Sequence, residues 1–185
     1  FQEPMTALNP VLRVGEQIME VLNMHSDLSQ SEAKKRTLDM MDQVHLPDVN
    51  RIFSAFPHQL SGGQRQRIMI AMALILDPDL LIADEPTTAL DVTTQLQILK
   101  LIAEMQERHG TAVLFITHDM GVVAEIADTV TVMQQGKIVE RAPIEKLLTD
   151  PQKDYTRTLL TAVPNLTPRP ARAAAAQSEV VRVAG

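Results

Sequence analysis

The sequence feature that most constrains the fold is a short apolar run that ends in two acidic residues. Residues 80–83 have the sequence LLIA, and Asp84 and Glu85 follow directly. An uninterrupted apolar run of this length is typical of a strand buried on both faces, as the strands of parallel sheets are. Residues 112–116 form a second such run. Because helical patterns alternate with these strands, we expect an α/β domain with a parallel-sheet core.

Helical spacing and end signals predict the remaining elements. A capping box at residues 29–32 opens one helix, and Asp91 and Gly110 mark the start and end of a longer one. The predicted helices cover residues 14–24, a stretch from residue 29 onward, and residues 64–76, 91–110, 119–127, 143–148 and 154–162. Two further strands, residues 129–133 and 137–141, flank a turn and predict a hairpin.

The composition excludes several classes of protein. The chain has no cysteine, which rules out disulfides, thiolate metal sites and iron–sulfur clusters. Its net charge of -6 argues against a nucleic-acid surface, which normally carries a basic stripe. No apolar run reaches the roughly 18 to 20 residues of a membrane-spanning helix, so we expect any membrane role to be peripheral.

The two acids after the first strand suit phosphate chemistry. Asp84 suits Mg²⁺, which favours one carboxylate together with waters and phosphate oxygens. Glu85 could polarise a water for in-line attack on a phosphate. The alternative is an exposed acidic turn after a strand, and for these two residues alone that interpretation is the stronger one.

Two other segments could bind a phosphate. Gly62 and Gly63 follow Ser61 at a helix start, where backbone amides and the helix dipole favour an anion. Taken alone, Ser61 is better interpreted as an ordinary N-cap. His118 follows the second strand and could donate to a phosphate or contact the attacking water, although a lone histidine there is more often structural. The other histidines, His25, His45, His58 and His109, are interpreted as surface or packing residues.

The order of these segments resembles the ABC ATPase family over essentially the whole chain. Gln2, LSGGQRQR at residues 60–67, LLIADEP at 80–86, TALD at 88–91 and THD at 117–119 occur in that order. The resemblance makes Asp84 the Walker B aspartate, Glu85 the catalytic glutamate and His118 the switch histidine. By the same resemblance, Gln2 is the Q-loop glutamine with a catalytic and metal-binding role, Ser61, Gly62, Gly63 and Gln64 form the signature motif, and Asp91 closes the D-loop.

The resemblance also implies cofactors and partners. The cofactors would be ATP and Mg²⁺, and two such domains would close head-to-tail over two ATP molecules. Transmembrane permease subunits would dock on a helical region at about residues 11–59, on the cytoplasmic face of the inner membrane. An extracytoplasmic substrate-binding protein would act indirectly, and no nucleic acid is expected.

One family motif is absent from the 185 residues. No stretch matches the phosphate-binding loop G-x-x-x-x-G-K-[ST], which lies upstream of the Q-loop in the family. We therefore expect a fragment that lacks its N-terminal part, and that alone binds ATP no tighter than about millimolar.

The end of the chain indicates a subfamily. QKDYTRTLL at residues 152–160, followed by AVP, resembles the C-terminal extension of oligopeptide, dipeptide and glutathione importer ATPases, with Lys153 and Asp154 in place of the usual His-Pro. We expect an ATPase domain at residues 1–163, with the extension at 143–163. Residues 164–185 are expected to be a linker. Two interpretations of it stay open, a connection to a second ATPase half and a frayed, disordered tail.

Two other functions remain open at this point. One is a soluble ABC ATPase that acts in DNA repair or translation, which the acidic composition and the importer-like extension disfavour. The other is a catalytically incompetent module that binds a partner ATPase through its signature motif.

Overall fold

The computed structural model describes residues 7–88 and 90–161. The described residues divide into two compact units, one within residues 1–81 and 86–111 and the other within residues 82–85 and 112–185. The predicted linker at residues 164–185 lies outside the described residues, and so does Gln2. The division into an ATPase domain, helical region and extension stays a prediction.

The first unit is largely helical. Its elements are α1 (Val14–His25), α2 (Gln30–Gln43), α3 (Val49–Phe53), a 3₁₀ turn (Pro57–Gln59), α4 (Gly62–Leu74) and α5 (Val92–His109). Strand β1 (Leu80–Asp84) begins in this unit, and its last three residues belong to the second.

Local hydrogen bonds fix the helix starts, as the sequence predicts. The Ser29 amide donates to the Glu32 carboxylate over 2.9 Å, and the Ser29 hydroxyl accepts from the Glu32 amide, which completes the capping box. Helix α4 begins at Gly62 rather than at the predicted residue 64, because the Ser61 side chain caps it. Gly110, with φ +67°, ends α5 as expected.

Helices α1, α2 and α4 pack their apolar faces together in the first unit. Ile18, Leu22, Met41 and Ile68 are each at most 1% exposed. The packing is tight at Gly15 of α1, where an added Cβ would overlap the Phe53 ring. Only a residue without a side chain fits there, so Gly15 and Phe53 set the spacing of α1 and α3.

The second unit contains two sheets and short helices. Strands β1 and β2 (Ala112–Ile116) pair, and β3 (Thr129–Gln134) forms an antiparallel hairpin with β4 (Lys137–Pro143). Helices α6 (Met120–Ile126), α7 (Ile144–Thr149) and α8 (Asp154–Thr161) complete it. The α/β class and the hairpin are confirmed.

The prediction that β1 is buried on both faces is wrong. Leu81 and Ala83 are buried, whereas Leu80 is 51% and Ile82 48% exposed. In β2 the buried residues likewise alternate with half-buried ones. Successive side chains point to opposite faces of a strand, and the described residues cover only one face.

The Gly15 contact gives a stability prediction. Replacing a helical glycine by alanine ordinarily stabilises a helix by about 1 kcal/mol. Gly15→Ala is instead expected to lower the free energy of unfolding by about 1–3 kcal/mol, because its methyl group overlaps the Phe53 ring. Urea unfolding followed by circular dichroism measures this, with Glu20→Ala on the exposed face of α1 as a control. A stabilised Gly15→Ala variant would contradict the packing.

Candidate active site

The backbone at the end of β1 turns sharply at Glu85. Glu85 has φ +45°, a left-handed conformation that non-glycine residues rarely adopt. Its amide donates to the Ile116 carbonyl over 2.8 Å, which ties the ends of β1 and β2 together. Such strained backbone persists only when its surroundings enforce it, and it is frequent at functional sites.

The same tie brings Glu85 and His118 together. The Nδ1 atom of His118 lies 2.8 Å from Oε1 of Glu85. An ionised carboxylate can only accept, so Nδ1 carries the hydrogen and a neutral imidazole has its lone pair on Nε2. Both side chains remain accessible, with the imidazole 63% and the carboxylate 37% exposed. A carboxylate oriented by a histidine at an open strand end has the geometry of a general base.

The residues beside His118 hold it in place. The Asp119 amide donates to the hydroxyl of Thr117 over 3.1 Å, and Thr117 is buried. The Asp119 carboxylate in turn accepts from the Gly121 amide over 2.8 Å and caps α6. His118 therefore lies between two residues that are anchored by their own hydrogen bonds.

Asp84 is the half-buried last residue of β1. Its carboxylate is a hard oxygen ligand of the kind that Mg²⁺ prefers. Within residues 7–88 and 90–161, no group of three or more histidines or acids could hold a metal ion. The Asp84 carboxylate therefore fits as a single ligand of such an ion.

In the first unit, a capping box orders the Ser61–Gln64 segment. The Ser61 amide donates to Oε1 of Gln64 over 3.0 Å, and the Gln64 amide donates to the Ser61 hydroxyl over 3.3 Å. The hydroxyl accepts in this bond, so it can still donate its own hydrogen. Gly62 and Gly63 occupy the first turn of α4, where amides have no acceptor within the helix. These groups are arranged to receive an anion.

The Ser61–Gln64 segment faces the start of α5 across a cleft of about 470 Å³ in the first unit. Its lining includes Gly62, Gly63, Arg67, Leu90, Asp91 and Thr94. The cleft therefore brings Asp91 and the residues from Ser61 to Gln64 to one surface, whereas Glu85 and His118 form a separate pair in the second unit.

Arg67 is a cleft residue that the sequence analysis did not single out. Its Nη1 donates to the Val44 carbonyl over 2.8 Å, and partial burial lowers the pKa of the guanidinium, with Glu104 opposing the shift. The group stays charged, so it adds positive charge to the cleft wall. Arg67 lies four residues after Gly63, a helical spacing that could have placed it near the glycines. Its hydrogen-bond partner Val44 is 23 residues away in sequence, so the sequence does not indicate this bond.

Asp91 caps α5 through both carboxylate oxygens. The Thr94 hydroxyl donates to Oδ2 over 2.7 Å, and the Thr94 amide donates to Oδ1 over 3.0 Å. These two bonds lower the pKa of Asp91 below its ordinary value, and the bond from the Thr94 hydroxyl has the larger effect. Both bonds favour the ionised form.

The lowered pKa of Asp91 predicts a pH-dependent cap. The ionised Asp91 carboxylate stabilises the folded chain at pH values above the ordinary aspartate pKa of about 3.9. This stabilisation is lost as the pH falls through the lowered pKa of Asp91 in the folded chain. Asp91→Asn retains a capping oxygen without the titration. We expect wild type to be the more stable at pH 7 and the difference to shrink below about pH 4. Urea unfolding at several pH values, with Asp79→Asn as a charge-matched control, tests this. A difference that does not change with pH would contradict it.

Comparisons with known proteins identify similar sequences and folds. Residues 1–88 match the family model for the ABC transporter. The chain is 59% identical over 166 residues to the glutathione import ATP-binding protein GsiA of Escherichia coli K12, covering 90% of this chain and 27% of that protein. It is 53% identical over 165 residues to the oligopeptide transport ATP-binding protein OppD of Lactococcus lactis subsp. cremoris, covering 89% and 49%. The chain thus spans between about a quarter and a half of these relatives.

A solved structure with the same fold is the ATP-binding cassette MJ0796, in a dimeric post-hydrolysis state bound to ADP and Pi. The TM-score is 0.66 at 32% identity, over 78% of this chain and 61% of that one. The matched family model, the two relatives and this fold point to the same family. Residues 1–88 therefore carry an ABC transporter domain, and about nine-tenths of the chain is similar to ATP-binding proteins of importers.

Proposed function

We propose that the protein containing these residues is the ATP-hydrolysing subunit of an importer for peptides or glutathione. The observation that carries the proposal is the pairing of Glu85 and His118, with 2.8 Å between Oε1 and Nδ1, at the ends of β1 and β2. The names of the two relatives support the transport class, since one is a glutathione and the other an oligopeptide protein.

The pair suits activation of a water molecule. Glu85 would accept a proton from water as the water attacks the terminal phosphorus of ATP, which breaks the bond to ADP and yields phosphate. The Nδ1–H of His118 holds the carboxylate in place. The imidazole lies at the exposed edge of the pair, where it would contact the phosphate or the attacking water.

Asp84 is the residue proposed to hold Mg²⁺. The ion would supply charge neutralisation at the phosphates when bound. Asp84 and Glu85 are adjacent in sequence but differ in backbone conformation, because Asp84 ends β1 and Glu85 has a left-handed backbone. The two carboxylates can therefore serve different roles. Gln2, the other proposed metal and catalytic residue, lies outside the described part of the chain.

The Ser61–Gln64 segment is proposed to bind the nucleotide of a second ATPase subunit. Its glycine amides, the Ser61 hydroxyl and the nearby charge of Arg67 all favour a phosphate. Asp91 would border that nucleotide from the start of α5. The dimeric state of the similar cassette MJ0796 supports a paired arrangement.

The transport partners follow from the same proposal. Permease subunits would dock on the helical region at residues 11–59, where Val11 and Met24 are more than 70% exposed. The ATPase would work at the cytoplasmic face of the membrane, and the substrate-binding protein would deliver the peptide. No helix within the described ranges is both long and apolar enough to cross a bilayer. A second ATPase half after Gly185 stays a prediction, to be checked in the coding sequence.

Glu85→Gln in the full-length protein tests the proposed base. The amide keeps the shape of Glu85 but cannot accept the proton, so kcat for ATP hydrolysis should fall by at least about a hundredfold. ATP binding should be preserved. A phosphate-release assay and equilibrium nucleotide binding measure the two effects. Glu125→Gln, the same change on the exposed face of α6 in the same unit, is the control. Near-normal turnover by Glu85→Gln would contradict the proposal.

Asp84→Asn tests the proposed metal ligand. Replacing a carboxylate by a neutral amide weakens binding of a hard divalent cation. We expect the Mg²⁺ concentration for half-maximal hydrolysis to rise by at least about tenfold, with nucleotide binding in EDTA unchanged. A magnesium titration of the ATPase rate measures this. An unchanged magnesium requirement would contradict the assignment.

A further inference from the structure

The first turns of α4 and α5 meet at Gly63 and Thr94. A Cβ built on Gly63 would lie 2.8 Å from Cγ2 of Thr94, closer than real Cβ atoms approach another heavy atom. At the neighbouring Gly62, the same construction gives an ordinary 3.6 Å to Leu90. The Thr94 methyl group therefore packs directly against the backbone of Gly63, and the contact is specific to one of the two signature glycines.

The other branch of the same side chain is held by Asp91. The Thr94 hydroxyl donates to Oδ2 of Asp91 over 2.7 Å. Threonine carries its hydroxyl and methyl groups on one Cβ and populates few χ1 rotamers. The bond to Asp91 thus fixes the rotamer that directs the methyl group at Gly63. One side chain connects the carboxylate that caps α5 to the amide-bearing turn of α4.

We propose that Thr94 is a positioning residue that sets where the Gly63 amide lies relative to Asp91. This inference rests on the proposed function, in which that amide binds the phosphate of a nucleotide held by the second subunit. The amide is useful only at the correct distance from the phosphate, and misplacement of a catalytic group by about 1 Å can cost about a hundredfold in rate. Any movement of the Asp91 loop would pass to Gly63 through Thr94.

The test combines substitutions on both sides of the contact in the full-length protein. Gly63→Ala adds a methyl group that overlaps Cγ2 of Thr94. Thr94→Ser removes that Cγ2 and retains the hydroxyl for Asp91, whereas Thr94→Val retains a methyl group and loses the hydroxyl. Each is combined with Gly63→Ala. Thr93→Ser, the same change at the preceding exposed position, is the matched control.

We expect Gly63→Ala to lower kcat by at least about tenfold, with ATP affinity of the monomer within about threefold of wild type. Adding Thr94→Ser should restore kcat to within about threefold of Thr94→Ser alone. Adding Thr94→Val or Thr93→Ser should restore nothing. The split between a changed kcat and an unchanged affinity separates positioning from a general loss of structure.

Two results would overturn the inference. One is a wild-type kcat in Gly63→Ala. The other is a double variant, Gly63→Ala with Thr94→Ser, that stays as slow as Gly63→Ala alone. In that case the added methyl group would impair catalysis by contacting the nucleotide and not Thr94. An inactive wild-type protein would defeat the proposed function instead. In that case thermal unfolding of the same variants still tests the contact, since Thr94→Ser should raise the Tm of Gly63→Ala, and no rise would overturn it.

Discussion

The hydrogen bond from the Glu85 amide to the Ile116 carbonyl is the interaction on which the second unit's site depends. It holds the ends of β1 and β2 together at 2.8 Å, at the residue where the backbone leaves the extended conformation. His118 is only two residues beyond Ile116, so the same bond brings the imidazole to the carboxylate. The side-chain pair is thus a consequence of strand pairing, and local unfolding at either strand end would separate it.

Helix caps play the equivalent part in the first unit. Ser61 and Gln64 close the start of α4, and Asp91 and Thr94 close the start of α5. A capped first turn keeps its remaining amides in fixed directions, which is what an anion-binding segment needs. At Gly63 the two capped turns touch. The geometry offered to a phosphate therefore depends on both helices, although the amides belong to only one.

The sequence predicted those features that are decided within a few residues. The caps at Ser29 and Asp91, the end of α5 at Gly110 and the hairpin after residue 128 all depend on neighbours along the chain. The exposure of Leu80 and Ile82 was predicted wrongly, because burial depends on what covers a strand and periodicity cannot show that. The roles of Arg67 and Thr94 were missed for a related reason. Their partners, the Val44 carbonyl and Gly63, lie far away in sequence.

The two parts of the proposed site are each built by bonds within one unit. Glu85 and His118 are set by the β1–β2 pair, and the Ser61–Gln64 segment is set by α4 and α5. This is the property that a head-to-tail pair of ATPase subunits needs, because each nucleotide would take its base from one subunit and its signature amides from the next.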